Sequence, residues 1–143
     1  AYSLCVMKYL LTLLSAAFLL AACEKYKDYE NLEVIENNFT GTILVSESVG
    51  DVDGEFMGSV DSGVYGFIWE NPTKGALLYV DALVDTGSVR FIVEDSRGDE
   101  VLNASVTGTE SSFSINGKKG NWKIRVSFSD FGGEGSFDLN PVQ

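Results

Sequence analysis

The sequence predicts an all-β chain: an antiparallel β-sandwich of jelly-roll type, with about eight or nine short strands. Three observations predict it. From Phe39 onward, runs rich in Val, Ile, Phe and Tyr alternate with turn residues at intervals of roughly 8–12 residues. Trp122, Ile124, Val126 and Phe128 alternate with Lys123, Arg125, Ser127 and Ser129, as in a strand with one face in the core and one in water. No window carries the sustained 3.6-residue period of an amphipathic helix.

The elements follow in chain order. Residues 1–6, "AYSLCV", precede Met7 and are read as upstream of the natural start, which leaves Cys5 without a role. Residues 7–22 have the make-up of an export signal helix. Lys8 supplies one positive charge, Tyr9 to Leu20 form an apolar run, and small residues close it. The run is shorter than the roughly 20 apolar residues of a spanning helix. Leu20-Ala21-Ala22-Cys23 resembles the lipobox of bacterial lipoproteins. That resemblance implies that the Cys23 thiol receives a diacylglyceryl group and that the peptide before it is removed. Cys23 then becomes the lipidated first residue, held on the extracytoplasmic side of a membrane of the bacterial envelope. Residues 23–38 follow as the lipidated cysteine and a charged tether. As a coil, the stretch from Glu24 spans about 20 Å, and fully extended about 50 Å. The alternative is a short helix or strand around Leu32 to Ile35 that docks on the domain.

Residues 39–143 are the sandwich. "TILVSESV" comes first. "EFMGSV" follows Asp53-Gly54, taken as a hairpin turn, and "VYGFIW" follows Asp61-Ser62-Gly63. "ALLYVDALV" and "SVRFIVED" are separated by Asp85-Thr86-Gly87, and "VLNASV" and "SSFSI" come next. "NWKIRVSF" and "GSFDL" close the domain, linked by "SDFGGEG", which suits a glycine-rich loop or bulge. The spacing Gly120-x-Trp122-x-Ile124-x-Val126, then Gly135-Ser136-Phe137-x-Leu139, is similar to the closing strands of small secreted bacterial β-sandwich domains of the pre-peptidase C-terminal type. The resemblance implies the fold and no activity.

Composition removes whole classes of function. The chain has 21 Asp+Glu against 10 Lys+Arg, a net charge of −11, so it lacks the basic footprint that nucleic acids require. It has no histidine, and both cysteines precede Glu24. The body therefore has no histidine base, no cysteine nucleophile, no Cys/His zinc site and no internal disulfide. No cofactor is implied.

Several constellations remain. Asp51, Asp53 and Glu55 alternate and are weak candidates for calcium. Counting from Asp51, however, the EF-hand glycine and glutamate positions hold Phe56 and Ser62. The carboxylate pairs Asp81/Asp85, Glu94/Asp95 and Asp99/Glu100 suit turns and edge strands better than a glycosidase cleft. Lys118-Lys119 suits a hairpin tip. Tyr65, Trp69 and Tyr79 are the candidate binding surface, with Trp69, beside Asn71-Pro72, the most exposed of them. Trp122 shares the parity of Ile124 and is assigned to the core. The expectation is a non-enzymatic, lipid-anchored β-sandwich that binds a glycan or an envelope protein. The alternatives are an inhibitor or immunity-type lipoprotein, or a small carboxylate-dependent glycan hydrolase.

Overall fold

Three strands of about twenty residues each carry the domain, and each of them is bent. The computed structural model describes residues 26–28 and 33–143, with side chains from Phe39 onward. The expected signal helix and Cys23 lie outside the described residues. The strands are β1 (Tyr26–Asp28), β2 (Glu33–Asn38), β3 (Thr42–Ser48), β4 (Asp51–Asn71), β5 (Gly75–Glu94), β6 (Glu100–Val106), β7 (Glu110–Asn116) and β8 (Gly120–Val142). All pairings are antiparallel, and there is no helix among the described residues. The stretch expected to be only a tether contributes β1 and β2, which pair with β3 and β4. The docked strand considered near Leu32 to Ile35 is thus the better description of residues 33–38.

By hydrogen bonding there is one eight-stranded sheet. β4, β8 and β5 lie side by side along almost their whole length, with β8 in the middle. Register shifts fall at Ser59/Asp61/Gly63 against β8 and at Val84/Thr86/Ser88 against β8. At these bulges the chain turns over: Val60 takes φ 68°, Asp130 φ 46° and Gly87 φ 66°. Such extra residues bend a strand and increase its twist. A β-branched valine at positive φ is strained, and it stays there because the paired strands on both sides fix it. Asp130 N–H donates to Ser62 Oγ at 2.9 Å, and Thr86 Oγ1 donates to the Asp130 carbonyl at 3.2 Å, tying the bends together.

The bends fold the sheet onto itself. Sheet I comprises β1, β3, the first half of β4, the second half of β8, the first half of β5, and β7. Sheet II comprises β2, the second half of β4, the first half of β8, the second half of β5, and β6. The core lies between them. Phe137 of sheet I stacks on Phe67 and meets Phe91 edge-on at 5.2 Å, both from sheet II. Phe56 of sheet I packs on Phe128 of sheet II at 5.6 Å, and Phe131 fills the bend. The alternation expected at Trp122 to Phe128 is present, with those four side chains buried.

The expected turns differ from the observed ones for one reason. Turns and bulges use the same residues, namely glycine, aspartate and serine at unusual φ. Asp61-Ser62-Gly63 and Asp85-Thr86-Gly87 are bends inside strands rather than chain reversals, so the expected short strands merge in pairs. The first hairpin turns at Val49-Gly50, where both φ values are positive (54° and 85°), and Asp53-Gly54 lies inside β4. Gly54 is glycine because a Cβ there would stand 2.1 Å from the Phe137 ring.

Candidate functional site

The outer face of sheet I sets exposed apolar side chains among carboxylates. Strand alternation points Val52, Gly54 and Phe56 inward, so Asp51, Asp53, Glu55 and Met57 point outward. Register then decides what stands beside them. One cross-strand row reads Ser46–Asp53–Asp138–Tyr79–Ser112. The next reads Leu44–Glu55–Ser136–Asp81–Glu110, and the third Thr42–Met57–Glu134–Leu83. Large apolar side chains are left bare among these polar groups: Leu44 is 68% exposed, Met57 54% and Leu83 57%. Between them runs an open groove of ≈ 400 Å³, walled by Leu44, Met57 and Leu83 with Glu55, Asp81 and Glu134. A second hollow of ≈ 240 Å³ continues it past Leu83 and Glu134 toward the bend at Asp85 and Gly133.

Among residues 39–143 no base lies on this face. Lys74, Arg97, Lys118 and Lys119 sit in the connections at the far end of the sandwich, and Arg90, Lys123 and Arg125 point out from sheet II. Arg125 pairs there with Glu94 at 3.5 Å, and Arg90 donates to Asn103. The two outer faces of the sandwich therefore differ in electrostatic character.

Two groups on the acidic face are perturbed. Asp53 and Asp138 stand directly opposite each other and share a hydrogen bond. That bond, then burial, then the charge of Asp53 push the Asp138 carboxyl up to about 6. The Tyr79 phenol is also raised, first by desolvation, then by its hydrogen bond to Glu110 and by the charges of Glu110, Asp81 and Asp138. A carboxyl whose folded-state pKa is raised contributes stability below its unfolded value, near 4, and loses it as pH rises toward 6. Replacing Asp53→Asn is expected to return Asp138 toward the ordinary carboxylate range and to flatten that part of the stability profile. NMR titration of the Asp138 carboxyl carbon checks this; an unchanged midpoint in the variant refutes the pairing.

The sequence-derived candidates separate in space. Trp69, expected at the surface, is 0% exposed. It meets Trp122 edge-on at 5.7 Å, and its indole N–H donates to the Gly50 carbonyl at 2.9 Å. The β3–β4 turn closes over it, a contact that nothing near Asn71-Pro72 reveals. Tyr65 is half-buried, with its ring against Phe39 and Phe128, and burial raises its phenol. Tyr79 alone reaches the acidic face, so the three aromatics form no common platform. Asp51, Asp53 and Glu55 do share a face, but side chains two apart on a strand stand about 7 Å apart and run along it. Among the described residues no group of three such ligands comes together to hold a metal.

The remaining pairs are structural. Asp95, 3% exposed, organises the β5–β6 connection. Its Oδ1 accepts from the N–H groups of Arg97 and Asp99 at 2.9 and 3.2 Å, and its Oδ2 accepts from Lys118 N–H at 3.0 Å. Burial alone would raise its carboxyl; those backbone donors and Arg97 outweigh it and hold the pKa below the usual range. Asp99 pairs with Arg97 at 3.4 Å, and Glu100 accepts from Asn103. Lys118-Lys119 form the β7–β8 turn, whose carbonyls accept from Ser96 Oγ, and Lys118 also from the Trp122 indole at 2.7 Å.

No protein-family model and no curated protein matches the chain. Solved structures do. The enzymatically active domain of bacteriophage CBA120 tailspike protein 4 superposes with TM-score 0.45 and 12% identity over 83% of this chain, which spans only 20% of that domain's chain. A family 29 carbohydrate-binding module, a mutant in complex with mannohexaose, gives TM-score 0.40 and 11% identity, covering 81% of this chain and 87% of its own. A family 61 carbohydrate-binding module in complex with a galactotriose gives TM-score 0.40 and 15% identity, covering 82% and 87%. At these scores the functional reading rests on this chain's own residues.

Proposed function

We propose that the chain is a non-catalytic binding protein of the bacterial envelope, held to a membrane by lipid on Cys23, with a glycan as its ligand on the outer face of sheet I. The observation that carries the reading is the groove beside Leu44, Met57 and Leu83. A sugar ring offers two kinds of surface, C–H faces and a rim of hydroxyls. The exposed leucines and methionine match the first, and Thr42, Ser136 and the carboxylates match the second as hydrogen-bond partners. The site is open and shallow, which suits holding a chain rather than excluding water for a reaction. Asp53 and Asp138 do not act as a glycosidase pair, because they are in direct hydrogen-bond contact, whereas glycosidase carboxyls stand about 5–10 Å apart.

The test is retention of oligosaccharides from a panel of manno-, gluco- and glucosamine-type chains by the full chain in nonionic detergent. Leu44→Ser combined with Leu83→Ser is expected to weaken binding by about tenfold, equivalent to about 1.4 kcal/mol, with the melting temperature unchanged because both side chains are exposed. Failure of every glycan to bind, or binding indifferent to the double substitution, refutes the site.

A further inference from the structure

We infer that the glycan held on the outer face of sheet I carries free amino groups. The inference rests on the glycan reading above and specifies it. The exposed apolar row would accept many partners; the charge around it does not. Seven carboxylates share the face, those of Asp51, Asp53, Glu55, Asp81, Glu110, Glu134 and Asp138, and no base of residues 39–143 lies among them. An anionic sugar is repelled from such a field. A neutral one displaces water from Glu55, Asp81 and Glu134 and returns no charge to them. An ammonium forms charge-assisted hydrogen bonds with the same oxygens.

The layout suits a repeating cation better than a single one. Asp81 and Glu110 stand on neighbouring strands, about 5 Å apart, while Glu55 and Asp81 flank Ser136 from two strands' distance, about 10 Å. Asp53 and Asp138 continue the pattern in the next row, about 7 Å along the strands. Like charges placed directly opposite each other destabilise a sheet, and the register sets Asp53 against Asp138 in this way. A ligand bearing an amine on successive sugars relieves this repulsion across four strands at once, while its ring faces lie on Leu44, Met57 and Leu83.

The experiment measures binding of the full chain in nonionic detergent to three probes by calorimetry: a glucosamine hexamer, the N-acetylglucosamine hexamer, and a peptide of alternating Lys and Leu. The glucosamine hexamer is expected to bind at least about tenfold tighter than its acetylated twin, and to weaken on raising salt from about 50 mM to about 500 mM, as screened ion pairs do. Glu55→Gln with Asp81→Asn, both exposed positions, is expected to erase the preference and leave the fold intact. Equal or tighter binding of the acetylated hexamer overturns the amine inference while the glycan reading stands. Binding of neither hexamer overturns the amine inference, and the glycan reading falls with it only if the manno- and gluco-type chains of the panel also fail to bind. Binding of the peptide with neither hexamer replaces the glycan by a basic polypeptide and likewise overturns the inference.

Discussion

Trp69→Ala is expected to destabilise the domain by about 3–5 kcal/mol, the range for removing a buried aromatic side chain. Two contributions add there. The side chain is fully buried against Trp122, and truncation leaves a large hole in sheet II's half of the core. It also spans the sandwich, because its N–H holds the Gly50 carbonyl of the β3–β4 turn. Trp69→Phe separates the two. It keeps most of the apolar volume and loses the hydrogen bond, at a cost of about 1 kcal/mol. A domain of this size loses roughly 4–8 °C of melting temperature per kcal/mol, so the alanine variant should melt more than about 10 °C lower. A drop of only a few degrees would mean that Trp69 does not hold the two layers together. The same measurement discriminates the buried position from the exposed one that the neighbouring Asn71-Pro72 suggests.

Cys23→Ser is expected to change where the protein is found. If Leu20-Ala21-Ala22-Cys23 directs lipidation, a hydroxyl cannot replace the thiol as acyl acceptor, and incorporation of labelled fatty acid falls to background. The protein then moves from the membrane fraction to the soluble one. The size of the effect follows from chain arithmetic. Each buried methylene contributes about 0.8 kcal/mol, one acyl chain binds only marginally, and two or more hold durably. The acidic domain adds no attraction to anionic lipid of its own. Continued sedimentation of Cys23→Ser with membranes would refute lipid anchoring, while leaving the reading of the acidic face untouched.

The inward half of the fold was legible because burial imposes a period. Trp122, Ile124, Val126 and Phe128 announce their own face, and so do Phe137 and Leu139. What could not be read was where strands end. The bends at Asp61-Ser62-Gly63 and Asp85-Thr86-Gly87 use the residues that also make chain reversals, whereas the true hairpin at Val49-Gly50 begins on a valine, a residue typical of strand interiors. Alternation also places Asp51, Asp53 and Glu55 on one face. Only the register with β8 and β5 brings Asp138, Tyr79 and Asp81 beside them, and register depends on residues roughly thirty to ninety positions away. The burial of Trp69 is hidden from its neighbours in sequence for the same reason. Its cover comes from a turn nineteen residues earlier in the chain.

The central place of β8 bears on the order in which the molecule can be assembled. β4 and β5 are neighbours in sequence yet leave a gap between them in both layers, and β8, which follows them by about 25 residues or more, fills that gap. Until residues 120–142 have emerged, each layer lacks its middle strand, Phe128 and Phe137 are missing from the core, and the facing edges of β4 and β5 have no partners. The contacts that close the domain are long in sequence and slow to form. In a nascent chain of this design the two layers can therefore close on each other only after residues 120–142 are available to pair with both β4 and β5.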